Sequence, residues 1–358
     1  MKAALAIGRA RWARRVAALL VLAALTATAA ENDPPLASWR DSKAKTAITD
    51  FVARVTDEKS ADFVPPAERV AVFDNDGTLW PENPMPFQLA FALDELKRRL
   101  PDEPTWKDDP MVQGALGGDL AALLADHYKG LFHIIELTGS GMTTTDFAER
   151  VRAWFATAKH PRFDQPCDQL AYQPMLELLD YLRANGFKTF IVSGGGADFM
   201  RVFSERVYGI PPEQIVGSNA RAVYELREDG PVLVKTMNDL FIDDKAGKPA
   251  GIHQFIGRRP IACFGNSDGD LEMLEYTTID NPRPSLGVII HHTDAEREYA
   301  YDKDAKSSGK LVKGLADAPE RGWIVVDMKN DWSDVFAPPT PDTGSSHAGC
   351  RCAMDAAR

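Results

Sequence analysis

The sequence predicts an α/β protein: an open, mostly parallel sheet as the core, with a helical cap subdomain inserted into it. Strand-length apolar runs recur at Val70–Phe73, Thr189–Val192, Pro260–Phe264, Leu286–Ile290 and Trp323–Val326. From Tyr172 onward helical patterns fall between these runs, and a repeated strand-helix order builds a parallel sheet. The first run is followed instead by a long helical stretch, residues 81–169, before the alternation begins.

Residues 1–30 open with Lys2, Arg9, Arg11, Arg14 and Arg15, then an apolar run from Val16 to Leu25, then Ala27-Thr28-Ala29-Ala30. This is the layout of a secretory signal peptide, with cleavage expected near Ala29 or Ala30 and a run too short to span a bilayer comfortably. A periplasmic or secreted protein with no stable membrane span after cleavage is therefore expected. Residues 31–80 and 170–336 form the expected core, and 81–169 the cap. Residues 337–358, rich in Pro, Ser and Gly, form an expected disordered tail. Within the core, Asp41–Val55 reads as a helix closed off by Pro65-Pro66. The cap holds helical patterns at Phe87–Leu100, Met111–Tyr128 and Thr145–His160. After Tyr172 come helices at Met175–Ala184, Ala197–Tyr208, Pro249–Ile256 and up to Tyr276. Between the second and third of these, residues 215–237 alternate as short strands around the turn Glu228-Asp229-Gly230.

The net charge is −11, and removing five basic and no acidic groups with residues 1–30 takes it to −16. So acidic a chain is a poor partner for nucleic acid or an anionic membrane. Of the four cysteines, Cys263 lies in an apolar run and reads as a buried thiol, while Cys167, Cys350 and Cys352 give no legible disulfide framework.

The chemistry gathers at the ends of the predicted strands. Val70–Phe73 stops abruptly at Asp74-Asn75-Asp76-Gly77-Thr78. Two carboxylates at the end of a buried strand are costly unless they bind a cation or react, and that end is where open α/β sheets place their sites. A calcium loop fits poorly, because its glycine and glutamate positions hold Leu79 and Met85. Ser193, followed by Gly194, Gly195 and Gly196, offers a hydroxyl and amides to a phosphoryl oxygen at a helix start. Lys248 opens the Pro249 helix, with Lys245 a weaker candidate, and Gly265-Asn266-Ser267-Asp268-Gly269-Asp270 is an acidic loop after the third run. A nucleophile, an oxygen cradle, a cation and a metal-binding loop are together what phosphoryl transfer needs.

In order and placement these four elements resemble the motifs of the haloacid dehalogenase-like superfamily, whose core is a Rossmann-like sheet. The layout is most similar to its phosphoserine phosphatase-like branch, over about residues 69–290. The resemblance implies that Asp74 is the nucleophile that becomes an aspartyl-phosphate and that Asp76 is the acid for the leaving alkoxide, then the base for water. It implies phosphate binding by Ser193, Gly194 and Lys248, and Mg2+ held by Asp74, Asp76, Asn266 and Asp270, with Asp268 as an additional carboxylate. Asn266 departs from the pattern, since relatives commonly carry Asp there; Asn266→Asp is accordingly expected to preserve or tighten magnesium binding. Asp76 favours a phosphatase over a dehalogenase, because a halide leaves without a proton.

The expected function is thus an exported, magnesium-dependent hydrolase of a small phosphorylated metabolite. Two alternatives stay open: a phosphotransferase or mutase with the same intermediate, and a catalytically silent cation- or ligand-binding protein. Trp80, Phe87, Trp106 and Trp154 are either core or an aromatic cage for a quaternary ammonium headgroup. The sequence says nothing of oligomeric state.

Overall fold

A computed structural model describes residues 35–305 and 308–337 of the chain. The signal-peptide reading of residues 1–30, the tail from Pro338 onward and the Cys350–Cys352 pair lie outside them. The chain divides after Ala37, and every element below belongs to the unit that begins at Ser38.

Six parallel strands form the core sheet: β1 (Val70–Phe73), β2 (Lys188–Gly196), β3 (Ile215–Ser218), β6 (Ala262–Gly265), β7 (Leu286–His291) and β8 (Ile324–Asp327). Their spatial order is β3-β2-β1-β6-β7-β8. The order runs outward in both directions from β1 and β6, so the connections reverse between these two neighbours. That switch point is where an open α/β sheet leaves a crevice beyond its strand ends. All four residues of β1 and all four of β6 are buried, as expected of central strands covered on both faces. Phe73 and Phe264 stack across that boundary with ring centroids 4.4 Å apart.

Helices α1 (Lys43–Thr56), α2 (Phe87–Arg99), α3 (Pro110–Leu116), α4 (Leu120–Gly139) and α5 (Thr144–Phe155) precede β2, all but α1 lying between β1 and β2. The predicted Met111–Tyr128 helix is two helices, because the chain breaks at Gly117-Gly118, where Gly118 has φ +78°. After α6 (Gln173–Ala184), the predicted Ala197–Tyr208 helix is likewise two short ones, α7 (Ala197–Met200) and α8 (Ser204–Tyr208). The strands β4 (Val223–Arg227) and β5 (Gly230–Val234) pair as a separate antiparallel hairpin around the expected turn. Helix α9 (Gly247–Gly251) runs on as a wider turn through Ile256, and α10 is Leu271–Thr278. Sequence reading missed α11 (Lys313–Arg321), which carries an internal Pro319, and the single turn α12 (Met328–Asp331).

Candidate active site

β1 delivers Asp74 to the crevice, and the chain turns at once. The Asn75 carbonyl accepts the amides of Thr78 and Leu79, and the Gly77 amide bonds to the Trp80 carbonyl at 2.8 Å. Gly77 has φ +77°, and a Cβ there would lie 2.1 Å from the Asn266 amide nitrogen and 2.4 Å from Glu82 Oε1. No other residue fits this turn.

Lys248 reaches the same spot from α9. Its Nζ donates to Asp74 Oδ1 at 2.7 Å, Asp270 Oδ1 at 2.6 Å and the Val192 carbonyl at 3.1 Å. All three side chains are buried. Burial works against the charge of Lys248, but Asp270 and Asp74 outweigh it and hold its pKa above the usual lysine value. Burial pushes Asp74 well up from the usual carboxylate range; Asp270 and Asp76 add to this, while Lys248 pulls the other way. Asp76 is pushed up to about 6, again by burial, against the pull of a hydrogen bond from Trp80 and the charge of Lys248. That bond, Trp80 Nε1 to Asp76 Oδ1, is 2.6 Å long.

Ser193 is buried within β2, three residues before its end, and lines the same cavity as Asp74, Asp76, Gly194 and Lys248. The helix that follows starts only at Ala197, so Ser193 is not at a helix terminus. The glycine amides are partly engaged: Gly195 donates to Ser193 Oγ at 3.2 Å and Gly196 to Gln88 Oε1, from α2, at 2.6 Å. Lys245 also lines the cavity but makes no contact with Asp74 like that of Lys248.

The loop after β6 differs from expectation. Asp270 is fully engaged by protein: Oδ1 by Lys248, and Oδ2 by the amides of Asn266 and Ser267 at 2.9 and 3.0 Å. Asp268 also borders the cavity, but its carboxylate accepts the amides of Val312, Lys313 and Gly314 and so caps α11. Both acids are thus held by protein groups: Asp270 shares the Lys248 ammonium with Asp74, and Asp268 is tied to the start of α11. Asn266 is buried, with Oδ1 accepting from Thr78 Oγ1 at 3.2 Å and Nδ2 donating to Glu82 Oε1 at 2.6 Å. An ionised carboxylate only accepts, so with Glu82 deprotonated the amide nitrogen faces it and the oxygen faces Thr78.

Sequence reading missed Glu82. It is buried, lines the cavity, and takes a second bond from Tyr301 OH at 2.7 Å. Burial pushes it up to about 7. Behind it, His292 Nε2 lies 2.7 Å from the Gly77 carbonyl, and its Nδ1 lies 3.1 Å from Glu298. Burial works against a charge on His292, and Glu298 overcomes this and raises its pKa. No spacing rule in the sequence marks these residues: Glu82 falls in the turn after the first strand, and His292, Glu298 and Tyr301 come from the segment after β7. Trp80 and Trp154 are core: Trp80 stacks on Phe203 at 4.4 Å and meets the edge of Phe87 at 4.6 Å, and Trp154 bonds to Asp94. Trp106 lies under the Arg99 guanidinium. None of the four candidate cage rings lines the cavity.

Among the described residues no three His, Cys, Asp or Glu side chains converge as a metal set. The donors present still suit a hard cation. Asp74 and Asp76 offer carboxylate oxygens to the cavity, with the buried Asn266 amide oxygen on Thr78 nearby, and burial, which raises both carboxyls, leaves their charge to be favoured by a cation.

Fold and site define an α/β enzyme with a carboxylate pair at the sheet's switch point and a buried lysine clamped to the first of the pair. The haloacid dehalogenase-like hydrolase model matches residues 71–275, more than half of the chain, and the chain belongs to that family. Among solved structures it is similar to a conserved functionally unknown protein from Anaerococcus prevotii, with 17% identity over 75% of this chain and 95% of that one and a TM-score of 0.47. It is similar too to a protein of unknown function from Bordetella pertussis Tohama I, at 15% identity over 73% and 99% of the two chains with a TM-score of 0.44. A phosphoserine phosphohydrolase-like protein from Francisella tularensis matches at 15% identity over 70% and 98%, with a TM-score of 0.37. No curated protein matches. No helix among the described residues is long and apolar enough to cross a membrane.

Proposed function

We propose that this hydrolase is a magnesium-dependent phosphomonoesterase, of the phosphoserine phosphatase-like branch, acting on a small phosphorylated molecule. The observation that carries the reading is the division of labour between Asp74 and Asp76. Lys248 holds Asp74 Oδ1 at 2.7 Å, which leaves its second oxygen to attack phosphorus. Asp76, with its pKa pushed up to about 6, can hold a proton for the departing alkoxide. A halide leaving group would need no such acid.

In the first step Asp74 forms a bond to phosphorus as the ester oxygen leaves with a proton from Asp76. In the second, water attacks the phosphoryl group while Asp76 takes its proton, and inorganic phosphate leaves. Ser193 and Lys248 hold phosphoryl oxygens during both. Magnesium held by Asp74, Asp76 and the Asn266 oxygen would lower the repulsion between the carboxylates and the incoming phosphate.

Asp74→Asn is the direct test. It should abolish turnover with magnesium while melting like the parent, because the amide cannot attack phosphorus. Retained turnover would remove the covalent mechanism. Adding acceptor alcohols and looking for a new phosphoester separates a hydrolase from a phosphotransferase. Export is part of the proposal and rests on the amino-terminal pattern; a mature terminus near residue 31 in a periplasmic fraction would support it, and an intact Met1 in cytosol would refute it.

A further inference from the structure

The crevice at the phosphoryl end opens into a cavity much larger than a phosphoryl group needs. It measures about 460 Å³, within the range that accommodates a drug-sized molecule. Away from Asp74 and Ser193 its wall is mainly apolar, interrupted by Gln88, Asn219 and Thr236, and comes from three directions. Leu131 and Ile135 project from α4, Phe147 and Phe199 from α5 and α7, and Met237 and Ile242 from the segment returning from the hairpin. Phe147 and Phe199 are buried, so they form a fixed wall.

The charged groups in this half leave little to bind a second anion. Lys235 is paired with Asp198, and its ammonium also lies 4.4 Å from the centre of the Phe147 ring. Lys245 and Lys310 stand beside the Asp268–Gly269 loop, at the phosphoryl end. A leaving group rich in hydroxyls would be stripped of water against a wall whose larger part offers no partners, which costs affinity. Methylenes and aromatic carbons would gain it.

Resting on the phosphatase reading, we infer that the substrate is the phosphomonoester of a bulky, mainly apolar alcohol, alkyl or aryl. Amino-acid, sugar and nucleoside esters are then poor substrates. Binding energy gathered along the apolar wall, remote from phosphorus, holds the ester oxygen in line with Asp74 and Asp76.

The test is a series of n-alkyl phosphates from ethyl to octyl with the magnesium-loaded protein, run beside phosphoserine, glucose 6-phosphate and a nucleoside monophosphate. kcat/KM should rise about fourfold per methylene until the cavity fills. Octyl phosphate should exceed phosphoserine by about a hundredfold or more. In parallel, n-alkylphosphonates, which carry no hydrolysable ester, are titrated calorimetrically and should tighten by a similar factor per carbon. Ile135→Ser should flatten both slopes. A flat phosphonate series, or a polar ester that outperforms octyl phosphate, overturns the apolar assignment and leaves the phosphatase reading standing. Chain-length-dependent phosphonate binding with no ester hydrolysed, 4-nitrophenyl phosphate included, keeps the apolar cavity and retires the phosphatase reading.

Discussion

Asp268 gives the sharpest test of how the loop after β6 works. Its carboxylate accepts three amides at the start of α11: Val312 at 3.1 Å, Lys313 at 3.2 Å and Gly314 at 2.9 Å. That helix has no cap from its own neighbouring side chains and contains Pro319, so it depends on this remote acceptor. Leu311 and Ala318, before and within it, are part of the core cluster that includes Ile289 and Trp323. Losing a helix cap costs roughly 0.5–2 kcal/mol, and losing a negative charge at the positive end of a helix adds about 0.5 kcal/mol. Asp268→Ala should therefore destabilise by about 2 kcal/mol, a melting shift of about 4 °C for a chain of this size. Asp268→Asn keeps one accepting oxygen and should lose about half as much. The decisive comparison is calorimetric magnesium titration of Asp268→Asn. As a cap, the residue leaves magnesium affinity within about twofold; as a ligand, its loss would weaken binding roughly 10–100-fold, as removal of even a group that only orients a ligand does. A large loss of magnesium affinity with unchanged melting would refute the reasoning.

Three further outcomes are expected. Asp76→Asn should slow alkyl phosphate hydrolysis roughly 10²–10⁴-fold and 4-nitrophenyl phosphate far less, as leaving-group rate comparisons would show; equal losses would contradict its role as an acid. Asn266→Asp, expected from the sequence to preserve or tighten magnesium binding, should in the metal-free protein lower the melting temperature near pH 8, because Glu82 Oε1 lies 2.6 Å from the altered atom. Adding Glu82→Gln should restore most of the loss, and a double variant no better than the single would break the pairing argument. Without divalent cation, stability should fall as pH rises from about 4 to about 7 and then level off. Asp76, Glu82 and Asp243, at about 6, 7 and 7, all titrate above their usual values because burial disfavours their charge. The folded state then holds more protons than the unfolded one across that window, and each tenfold gain in proton affinity on folding is worth about 1.4 kcal/mol. Asp243→Asn should flatten part of the decline in denaturation measured at pH 5 and pH 8, since burial is the main cause of the raised Asp243 pKa.

Much of this protein was legible in order along the chain. Buried central strands need unbroken apolar runs, so β1, β2, β6, β7 and β8 were visible, and the carboxylates that end β1 stood out against Val70–Phe73. Lys248 was chosen over Lys245 for its place at a helix start, and the fold brings it within 2.7 Å of Asp74. These are local signals, set by period and by abrupt changes of polarity. The partners of each acid are not local. Asp268 and Asp270 are two residues apart and look equivalent in sequence, yet one caps a helix that starts at Lys313 and the other anchors Lys248 and two amides. Glu82 had no marker at all, because its meaning comes from Asn266, Tyr301 and the glycine turn at Gly77, which chain folding alone places against it. Sequence determined which residues carry charge to the strand ends. Tertiary structure decided which of those charges are already neutralised by protein amides and lysine, and which still face the cavity.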